Sequence, residues 1–334
     1  MSSTTLMTPS IWQRLLAMLK PNSGGESILK ILLHSFGPPM LGIFIFLAIW
    51  DLSASRVHTS LGTLPGPVAV IKQAGNLYQQ YLNEQEREHS FNERQKVRKA
   101  EFLAEHPGEK YNEIKYTGQP TYLDQIFTSL YTVFVGFMLG TIIAVPLGIL
   151  SGLNKTIRAA LNPLIQIFRP VSPLAWLPIV TLVVSAVYVS ADPMFAKSFL
   201  ISAITVTLCS MWPTLVNTAL GVASIDKDLL NVSKVLRLSM RTKVMKIVLP
   251  SSLKLIFTGM RLSLGVAWMV LIAAEMLAQN PGLGKFVWDE FQNGSSQSLE
   301  RIMVAVFTIG FVGFLLDRIM HSLQQIASFG QSTD

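Results

Sequence analysis

The sequence is short of charged residues. Only 14% of its 334 residues are Asp, Glu, Lys or Arg, against about 25% in an ordinary soluble domain, while 50% are hydrophobic. This deficit excludes a soluble enzyme. It also excludes a disordered chain, because a sequence this apolar buries enough surface to offset the entropy lost on ordering.

Cysteine and catalytic motifs are also scarce. Cys209 is the single cysteine, so no internal disulfide can form and a disulfide-stapled secreted scaffold is excluded. The sequence has no HExxH, no paired cysteines and no G-x-S-x-G, and its histidines are scattered. The glycine-containing segments at 148–156 and 282–285 do not have the G-x-x-x-x-G-K-[ST] spacing of a phosphate-binding loop. We therefore expect no catalytic residue, metal site or cofactor in this chain.

Charge-free stretches predict the membrane spans. Asp, Glu, Lys and Arg are absent from 31–50, 125–154, 170–191, 198–225 and 302–316, and the stretch 257–284 contains only Arg261 and Glu275. A hydrocarbon core of about 30 Å requires about 20 mostly apolar helical residues, which each stretch supplies once its flanks are counted. The sequence therefore predicts an all-α integral membrane protein with six spans. The last is the shortest, so it must extend past Asp317 and Arg318 or tilt.

The basic residues predict the orientation. Seven of them lie between the fourth and fifth spans, against only Asp226 and Asp228: Lys227, Lys234, Arg237, Arg241, Lys243, Lys246 and Lys254. Basic loops stay on the cytoplasmic side, so this loop and both termini are expected to be cytoplasmic. The net charge of +7 is then mainly a topology signal, and nucleic-acid binding explains it less well.

Two segments outside the spans have helix-compatible patterns, one of them amphipathic and the other highly charged. Residues 11–19 place apolar side chains on one helical face, which is typical of a helix lying in the membrane interface. Residues 81–115 alternate in charge sign over a helix-compatible length, either as a solvated insertion or as a docking surface for an external partner. Four prolines in this extracytoplasmic region predict helix pieces joined by extended turns: Pro65, Pro67, Pro107 and Pro120.

These features divide the chain into consecutive regions. The expected regions are 1–28 (cytoplasmic interfacial helix), 29–53 (first span), 54–122 (extracytoplasmic insertion), 123–325 (membrane-spanning core, with a cytoplasmic loop at 222–255) and 326–334 (cytoplasmic tail).

Small residues and prolines mark the second and third spans. Gly136 with Gly140, and Gly148 with Gly152, form G-x-x-x-G pairs that let helices approach closely, on different patches of an ideal helix. Five prolines between 146 and 178 interrupt the helices, and such breaks are tolerated only against protein or a water-filled cavity. Arg169, Ser172 and Trp176 lie in this broken stretch and are candidate pathway residues for a small anion. Equally, Arg169 can be an interfacial arginine that snorkels to water.

Glu275 is the one acid well inside an apolar stretch, with Arg261 about four helical turns earlier. Ionisable residues inside a membrane indicate function by default, so both are candidate pathway residues. An acid is nevertheless a poor host for an anionic substrate. A structural hydrogen bond or a gate is the alternative role for Glu275.

The cytoplasmic segment from Asn231 to Pro250 carries the strongest local pattern. Its apolar positions predict two short amphipathic helices separated by Leu238-Ser239-Met240, directly before a span. A basic loop can be a topology anchor only. Two helices with an apolar face indicate instead a segment that docks in a groove of a soluble partner.

This segment resembles the coupling loop of permeases of binding-protein-dependent ABC importers, in which an E-A-A triplet is followed by a glycine and later by an apolar pair ending in L-P. The triplet position is occupied here by Asn231-Val232-Ser233, followed by Lys234. Arg237 stands at the glycine position, Ser239 at the serine, and Ile247-Val248-Leu249-Pro250 close the motif. The spacing and the terminal L-P fit, whereas the triplet and the glycine differ.

The resemblance extends over about residues 30 to 325. The segments at 64–67, 172–178, 212–222 and 273–277 look like the nitrate, sulfonate and taurine permease group. Within that group, the run from Ile165 to Pro178, the start of span five at 257–261, the turn at 287–289 and the charged insertion look most like nitrate permeases, whose relatives also handle nitrite, bicarbonate or cyanate.

The resemblance implies a type I ABC importer permease fold, a location in a bacterial inner membrane and an alternating-access mechanism. It implies two cytoplasmic ABC ATPase subunits that bind the ATP and Mg²⁺, a second permease copy, an extracytoplasmic substrate-binding protein that does most of the selection, and a surrounding lipid membrane. The favoured cargo is nitrate. A sulfonate or taurine importer, and more distantly a passive channel or a membrane receptor, remain alternatives.

Overall fold

The computed structural model describes residues 28–328, except 55, 60–61, 107–110, 113 and 190–192. The interfacial helix expected at 11–19 lies outside the described residues. The described chain is almost entirely helical. Its elements are α1 (Ile28–Ala54), a hairpin of β1 (His58–Thr59) and β2 (Gly62–Thr63), α2 (Pro67–Glu105), α3 (Tyr122–Leu153), α4 (Lys155–Phe168), α5 (Pro173–Val187), α6 (Lys197–Ala223), α7 (Lys227–Val235), α8 (Met240–Lys243), a π-helical turn (Val244–Val248), α9 (Leu249–Ala278), α10 (Leu283–Asn293) and α11 (Ser298–Ser328).

Five helical segments of the described chain are long and apolar enough to cross a membrane. They lie in α1, in α3, in α6, in the continuous run Met240–Ala278 and in α11. A sixth crossing exists only if α4 and α5, which meet at an angle of 102°, are counted as one broken span.

The proline interruption expected in the third span is present, but only α5 lies within the expected range 170–191. Helix α5 has 15 residues and is about 22 Å long, which is shorter than the hydrocarbon core. Pro170 and Pro173 flank the bend, where a proline lacks the N–H that a helix needs and disfavours helical geometry in the residue before it.

The packing of α3 on α6 shows that the bent pair crosses the membrane. Gly136 lies against Ala203 and Val206, whereas Gly152 lies against Ala219 and Val222. The residue numbers of the contacting positions increase together along α3 and α6, so the two helices run parallel. The intervening chain must then return to the side from which α3 began, so α4 and α5 together make one crossing.

Helices α9 and α11 complete an alternating bundle. Gly221 of α6 lies against Ser252 and Leu255, while Gly259 of α9 lies against Pro213 and Asn217, so α6 and α9 are antiparallel. Arg261 pairs with Asp317 of α11, and Trp268 donates a hydrogen bond to the carbonyl oxygen of Ile309, 2.9 Å away. These contacts make α9 and α11 antiparallel as well.

All four glycines of the two G-x-x-x-G pairs face the same helix, α6. The expectation of separate patches is wrong, because it assumed an ideal straight helix. Two helices that stay in contact over a long stretch wind around each other, so a stripe that drifts around one of them remains against its partner. The Thr207 hydroxyl reinforces this contact by donating a hydrogen bond to the Gly136 carbonyl at 2.9 Å.

Helix α2 is a single helix of 39 residues, and the expectation of several pieces joined by turns is wrong. Pro67 is its first residue, where a missing N–H costs nothing, and Pro65 and Pro120 lie outside it. Its first turns bury Val70, Gln73 and Leu77 on one face.

The chain that follows α2 lies back along it. Tyr111 donates a hydrogen bond to the Gln95 side chain at 2.9 Å, and Tyr116 donates one to Glu84 at 2.6 Å. The bond to the carboxylate raises the pKa of the Tyr116 phenol, because ionisation would remove the donated proton.

The close approach of α3 and α6 generates a stability prediction. A Cβ on Gly148 would lie 2.8 Å from the Leu215 carbonyl oxygen and 2.6 Å from the Thr218 Cβ. Because backbone must move to relieve this overlap, Gly148→Ala is expected to destabilise the protein by about 1–3 kcal/mol. The measurement is the thermal unfolding midpoint of the purified permease in one detergent.

The matched control is Gly140→Ala, on the same face of α3. There the nearest atom to a new Cβ is 3.5 Å away, which is ordinary contact, so its midpoint is expected to stay close to that of the native protein. Equal midpoints for the two variants would show that the α3–α6 approach is looser than described.

Candidate functional site

The loop at 222–255 contains the first expected amphipathic helix. The second is not a separate helix, because it is continuous with the membrane-spanning helix that follows. Helix α7 ends at Val235, and the chain turns through residues 236–239. Helix α8 then runs without interruption through the π-helical turn into α9. The widened turn lies directly before Leu249 and Pro250, where it accommodates the ring of Pro250, which clashes with the carbonyl four residues earlier in a regular helix.

Arg237 adopts the left-handed backbone conformation, with φ +46°. The backbone N–H of Leu238 donates a hydrogen bond to the Ser233 carbonyl at 3.0 Å, which closes the end of α7 as in a Schellman motif. Glycine is the usual residue at this position because it has no Cβ. The backbone thus has the geometry of a glycine turn although an arginine occupies it.

Ser239 begins the helix that follows this turn. Its hydroxyl accepts a hydrogen bond from the Thr242 backbone N–H at 3.3 Å and lies 2.8 Å from the Thr242 hydroxyl. A serine at this N-cap position satisfies a backbone donor that has no partner within the helix. Arg237 and Ser239 together fix the direction of the chain between α7 and α8.

Helix α7 has one apolar exposed face. Val232, Val235 and Leu236 are 51%, 81% and 63% exposed, and together with Asp228 and Asn231 they line a shallow groove. Ser233 points the other way, since it is buried and donates a hydrogen bond to the Leu230 carbonyl at 2.6 Å. Only the main chain of Lys234 is described. The exposed face is apolar within an otherwise basic loop, as a docking surface requires.

The bend between α4 and α5 contains three of the candidate pathway residues. Arg169 caps the end of α4, and Ser172 caps the start of α5 by accepting a hydrogen bond from the Leu174 N–H at 3.3 Å. Both are exposed. Trp176 is half-buried and packs on Phe168, with 5.7 Å between ring centroids.

Arg261 forms an ion pair that the sequence did not indicate. Its Nε and one terminal nitrogen donate hydrogen bonds to the two carboxylate oxygens of Asp317, at 2.6 and 2.8 Å. This two-point geometry joins α9 to α11. The positive charge of Arg261 is therefore already compensated within the chain.

Glu275 is fully buried and is held by groups from two other elements. The Ser129 hydroxyl of α3 lies 2.8 Å from both carboxylate oxygens, and the Gly284 backbone N–H donates a hydrogen bond to one of them at 3.0 Å. The Leu283 N–H in turn donates to the Ser129 hydroxyl at 2.9 Å. The carboxylate thus pins the turn between α9 and α10 against α3.

The backbone at this turn leaves room for the carboxylate. Gln279 has φ +55° and ends α9, and the chain then folds back so that Gly282 lies against the Glu275 side chain. A Cβ on Gly282 would collide with the carboxylate, and one on Gly284 would collide with the Ile272 carbonyl oxygen. Glycine is therefore required at both positions.

The five candidate pathway residues do not form one cluster. Among the described residues, no hydrogen bond or ion pair joins Arg169, Ser172, Trp176, Arg261 and Glu275 to one another. In the same part of the chain, no group of three His, Cys, Asp or Glu side chains is placed to hold a metal ion.

Sequence reasoning missed Ser129, Asp317 and the pair Gly282/Gly284. Ser129 gives no local signal in a charge-free stretch, and the segment with Gly282 and Gly284 only resembles a phosphate loop without its spacing. Asp317, read from the sequence, only limits the length of the last span. The charge of Arg261 was the available signal, because a buried or half-buried arginine in a span requires an acidic partner.

A polar cleft of about 420 Å³ lies between α2, the segment before α3, and α10. At its floor Arg301 donates a hydrogen bond to Glu290 at 2.9 Å, and Ser298 donates one to the same carboxylate at 3.1 Å. The rim carries amide side chains and further charges: Gln80, Asn83, Glu84, Arg87, Gln119, Gln125, Asp289 and Asn293. The cleft is at the opposite end of the bundle from the 222–255 loop.

The chain matches a described family and similar proteins. The family model for the binding-protein-dependent transport system inner membrane component matches residues 144–327, which include the bend, the 222–255 loop, Arg261 and Glu275. Among solved structures, the methionine ABC transporter MetNI in an inward-facing crystal form aligns with a TM-score of 0.53 at 13% identity, over 62% of this chain and 95% of that chain. This likeness concerns the fold.

Three curated relatives have higher sequence identity. The bicarbonate transport system permease protein CmpB of Synechococcus elongatus is 34% identical over 86% of this chain and 87% of its own length. The nitrate import permease protein NrtB of the same organism is 32% identical over 89% and 91%. CmpB of Synechocystis sp. is 40% identical over 62% and 69%.

Glu275 generates a prediction about stability and function. Glu275→Leu leaves the Gly284 N–H and the Ser129 hydroxyl without their acceptor, at a cost of about 1–3 kcal/mol for each unpaired donor. In Glu275→Gln the side-chain oxygen can accept from Gly284 while the amide donates to Ser129. We expect a much lower thermal unfolding midpoint for the Leu variant, and for the Gln variant a near-native midpoint with most transport retained.

A Glu275→Gln protein that assembles and unfolds normally but has lost all transport would contradict the structural role. It would instead place the carboxylate in the pathway.

Arg237 generates a prediction about backbone strain. A non-glycine residue in the left-handed region costs about 1–2 kcal/mol, and a β-branched residue is a greater outlier there. Arg237→Val is therefore expected to speed amide hydrogen exchange across 227–243, whereas Arg237→Gly is expected to exchange as slowly as the native loop or more slowly.

Arg241, inside α8, provides the control. At a helical position the order of the exchange rates of the Gly and Val variants reverses, because glycine is a poorer helix former than valine. Amide hydrogens should therefore exchange faster in Arg241→Gly than in Arg241→Val. The same order at both positions would mean that Arg237 is not held in the left-handed conformation.

Proposed function

The chain belongs to the family of binding-protein-dependent transport system inner membrane components, and on that premise we propose that it is the permease subunit of an ATP-driven importer of a small planar oxyanion. Two cytoplasmic ATPase subunits would supply the energy and bind the ATP and Mg²⁺. A second permease copy and an extracytoplasmic binding protein complete the assembly.

One observation carries the coupling part of this proposal. The exposed apolar face of α7 is joined, through the glycine-type turn at Arg237, to a helix that continues from Met240 to Ala278. A docking helix followed directly by a membrane-crossing helix can pass a displacement from a soluble partner into the bundle. This supports an ATPase-coupled permease over a passive channel, which needs no such link.

The names of the relatives support a small planar oxyanion as the cargo. One set is named for bicarbonate and the other for nitrate, and both ions are planar, singly charged and built from a central atom with three oxygens. The sequence resemblance favours nitrate within this class. A sulfonate differs, because its acidic group is tetrahedral and carries an organic substituent.

Alternating access accounts for transport in this assembly. When ATP closes the partner subunits, α7 moves with them, and the helix from Met240 carries that movement to its contacts with α6 and α11. The gate at the opposite end then opens to the binding protein. We place the 222–255 loop on the cytoplasmic side, because its seven basic residues follow the rule for retained loops.

The binding protein would dock at the other end of the bundle. The polar cleft between α2 and α10 lies there, and its mixed amide and charged rim is suited to a partner with a polar surface. The exposed and charged continuation of α2 extends the same surface.

The experiment is substrate-stimulated ATPase activity of the permease–ATPase complex in nanodiscs, with the binding protein present. Nitrate, bicarbonate and taurine are added separately at equal ionic strength. Stimulation by nitrate or bicarbonate supports the proposal and identifies the cargo. Stimulation by taurine alone keeps the importer and overturns the oxyanion, and ion conductance without ATP would establish a channel.

A substitution in α7 tests the coupling surface directly. Val235→Glu places a charge on the apolar face, so we expect at least tenfold weaker co-purification of the ATPase, which corresponds to about 1.4 kcal/mol, together with loss of stimulated activity. Membrane insertion and the unfolding midpoint should not change, because Val235 is 81% exposed.

The control is Val97→Glu, which makes the same change at a 56% exposed position of α2. It should leave ATPase association at the native level. Normal association of the Val235→Glu protein would show that the docking face has been assigned to the wrong helix.

A further inference from the structure

Three aromatic rings meet at the bend between α4 and α5. The Phe168 ring at the end of α4 lies 5.7 Å from the Trp176 ring of α5 and 6.4 Å from the Trp212 ring of α6, measured between centroids. Trp212 is only 8% exposed. Phe168 thus brings together two indole rings from different helices.

Both indole nitrogens lack an acceptor. The Nε1 atoms of Trp176 and Trp212 are out of solvent and have no hydrogen-bond partner among the described residues. Two other tryptophans behave normally, since Trp50 donates to the Pro65 carbonyl at 3.1 Å and Trp268 to the Ile309 carbonyl at 2.9 Å. An unpaired buried N–H costs about 1–3 kcal/mol, so two around one ring indicate an absent acceptor.

The surroundings indicate that this acceptor is an anion. An indole N–H is only a donor, and helices α4, α5 and α6 contain no Asp or Glu. Arg169 follows Phe168 directly and is the one cation at the bend. Two neutral donors and an adjacent guanidinium, with no acid on these helices, favour a small oxyanion over a cation or a neutral solute.

The backbone of α6 is held in place beside Trp212. Pro213 cannot donate a helical hydrogen bond, and the next residue, Thr214, directs its N–H to the Ser263 hydroxyl of α9 at 3.0 Å. The Thr214 hydroxyl also bonds to Ser263 at 2.8 Å. The Trp212 ring is therefore fixed relative to α9, the helix that continues from the coupling loop.

We propose that Trp176 and Trp212 form an anion subsite in the translocation pathway, in which their indole N–H groups bind oxygens of the transported oxyanion. This rests on the proposed importer function. The rings are covered in the present conformation, and the anion reaches them when the bend separates from α6. Neutral donors bind a small anion weakly, and a pathway requires weak binding so that the ion also leaves.

The test uses the permease–ATPase complex labelled with 5-fluorotryptophan, in nanodiscs and without the binding protein. Fluorine NMR spectra are recorded while sodium nitrate or sodium bicarbonate replaces sodium gluconate at constant ionic strength. Trp176→Phe and Trp212→Phe each remove one N–H while keeping an aromatic ring, and they assign the two resonances. We expect both resonances to shift saturably with the small oxyanion.

Trp268→Phe is the matched control, because Trp268 is a buried indole whose N–H already has an acceptor. In the native protein, the Trp268 resonance, which the Trp268→Phe variant assigns by its loss, should not shift with either anion. The Trp176→Phe and Trp212→Phe proteins should bind the anion about tenfold more weakly, the loss of one hydrogen bond, and the double variant should transport at least tenfold more slowly. The Trp268→Phe protein should bind and transport normally.

The subsite is overturned if neither resonance shifts while native complexes import the anion. It is equally overturned if the two Phe variants bind the anion normally and only reduce the fraction of permease dimer in native mass spectrometry. A carbonyl of the second permease copy would then be the missing acceptor. Failure of the importer function itself is separate. It would appear as absent uptake and absent substrate-stimulated ATPase activity in the native complex.

Discussion

The close contact of α3 with α6 determines how the chain between these two helices crosses the membrane. Glycines at 136 and 148 let the two backbones approach so closely that a single added carbon would overlap carbonyl oxygens of α6. Because the two helices are parallel, the chain between them must cross the membrane once more. It does so with two short helices and a bend, where the Phe168 ring packs on the indole rings of Trp176 and Trp212.

Arg261 and Glu275, two charged residues of α9, both have partners within the chain. Arg261 is matched by Asp317, and Glu275 is surrounded by donors from Ser129 and Gly284. Each pair joins helices that are far apart in sequence, so each serves as a cross-link in a medium where an unmatched charge is costly. At the bend, by contrast, the indole N–H groups of Trp176 and Trp212 have no acceptor among the described residues.

The sequence predicted the features that depend on neighbouring residues. Missing charge located the spans, and the resemblance of the coupling loop placed Arg237 at a glycine position without predicting the left-handed turn that the structure has there. It failed where distant residues decide the outcome. Ser129 and Glu275 are separated by 146 positions, and nothing near either one reveals the other. The prolines were informative only in part, since Pro170 and Pro173 flank the expected break in the third span, whereas Pro67 begins a long helix instead of separating helix pieces.

The helix from Met240 to Ala278 has 39 residues and is therefore about 58 Å long. If it tilts as a rigid rod about its middle, a rotation of roughly 5° displaces each end by about 2.5 Å, in opposite directions. The end near Glu275 is hydrogen-bonded to Ser129 of α3, so it can move by this amount only if α3 moves with it or the bond breaks. A tilt imposed at the Ser239 end would therefore be transmitted to α3, the helix packed against α6.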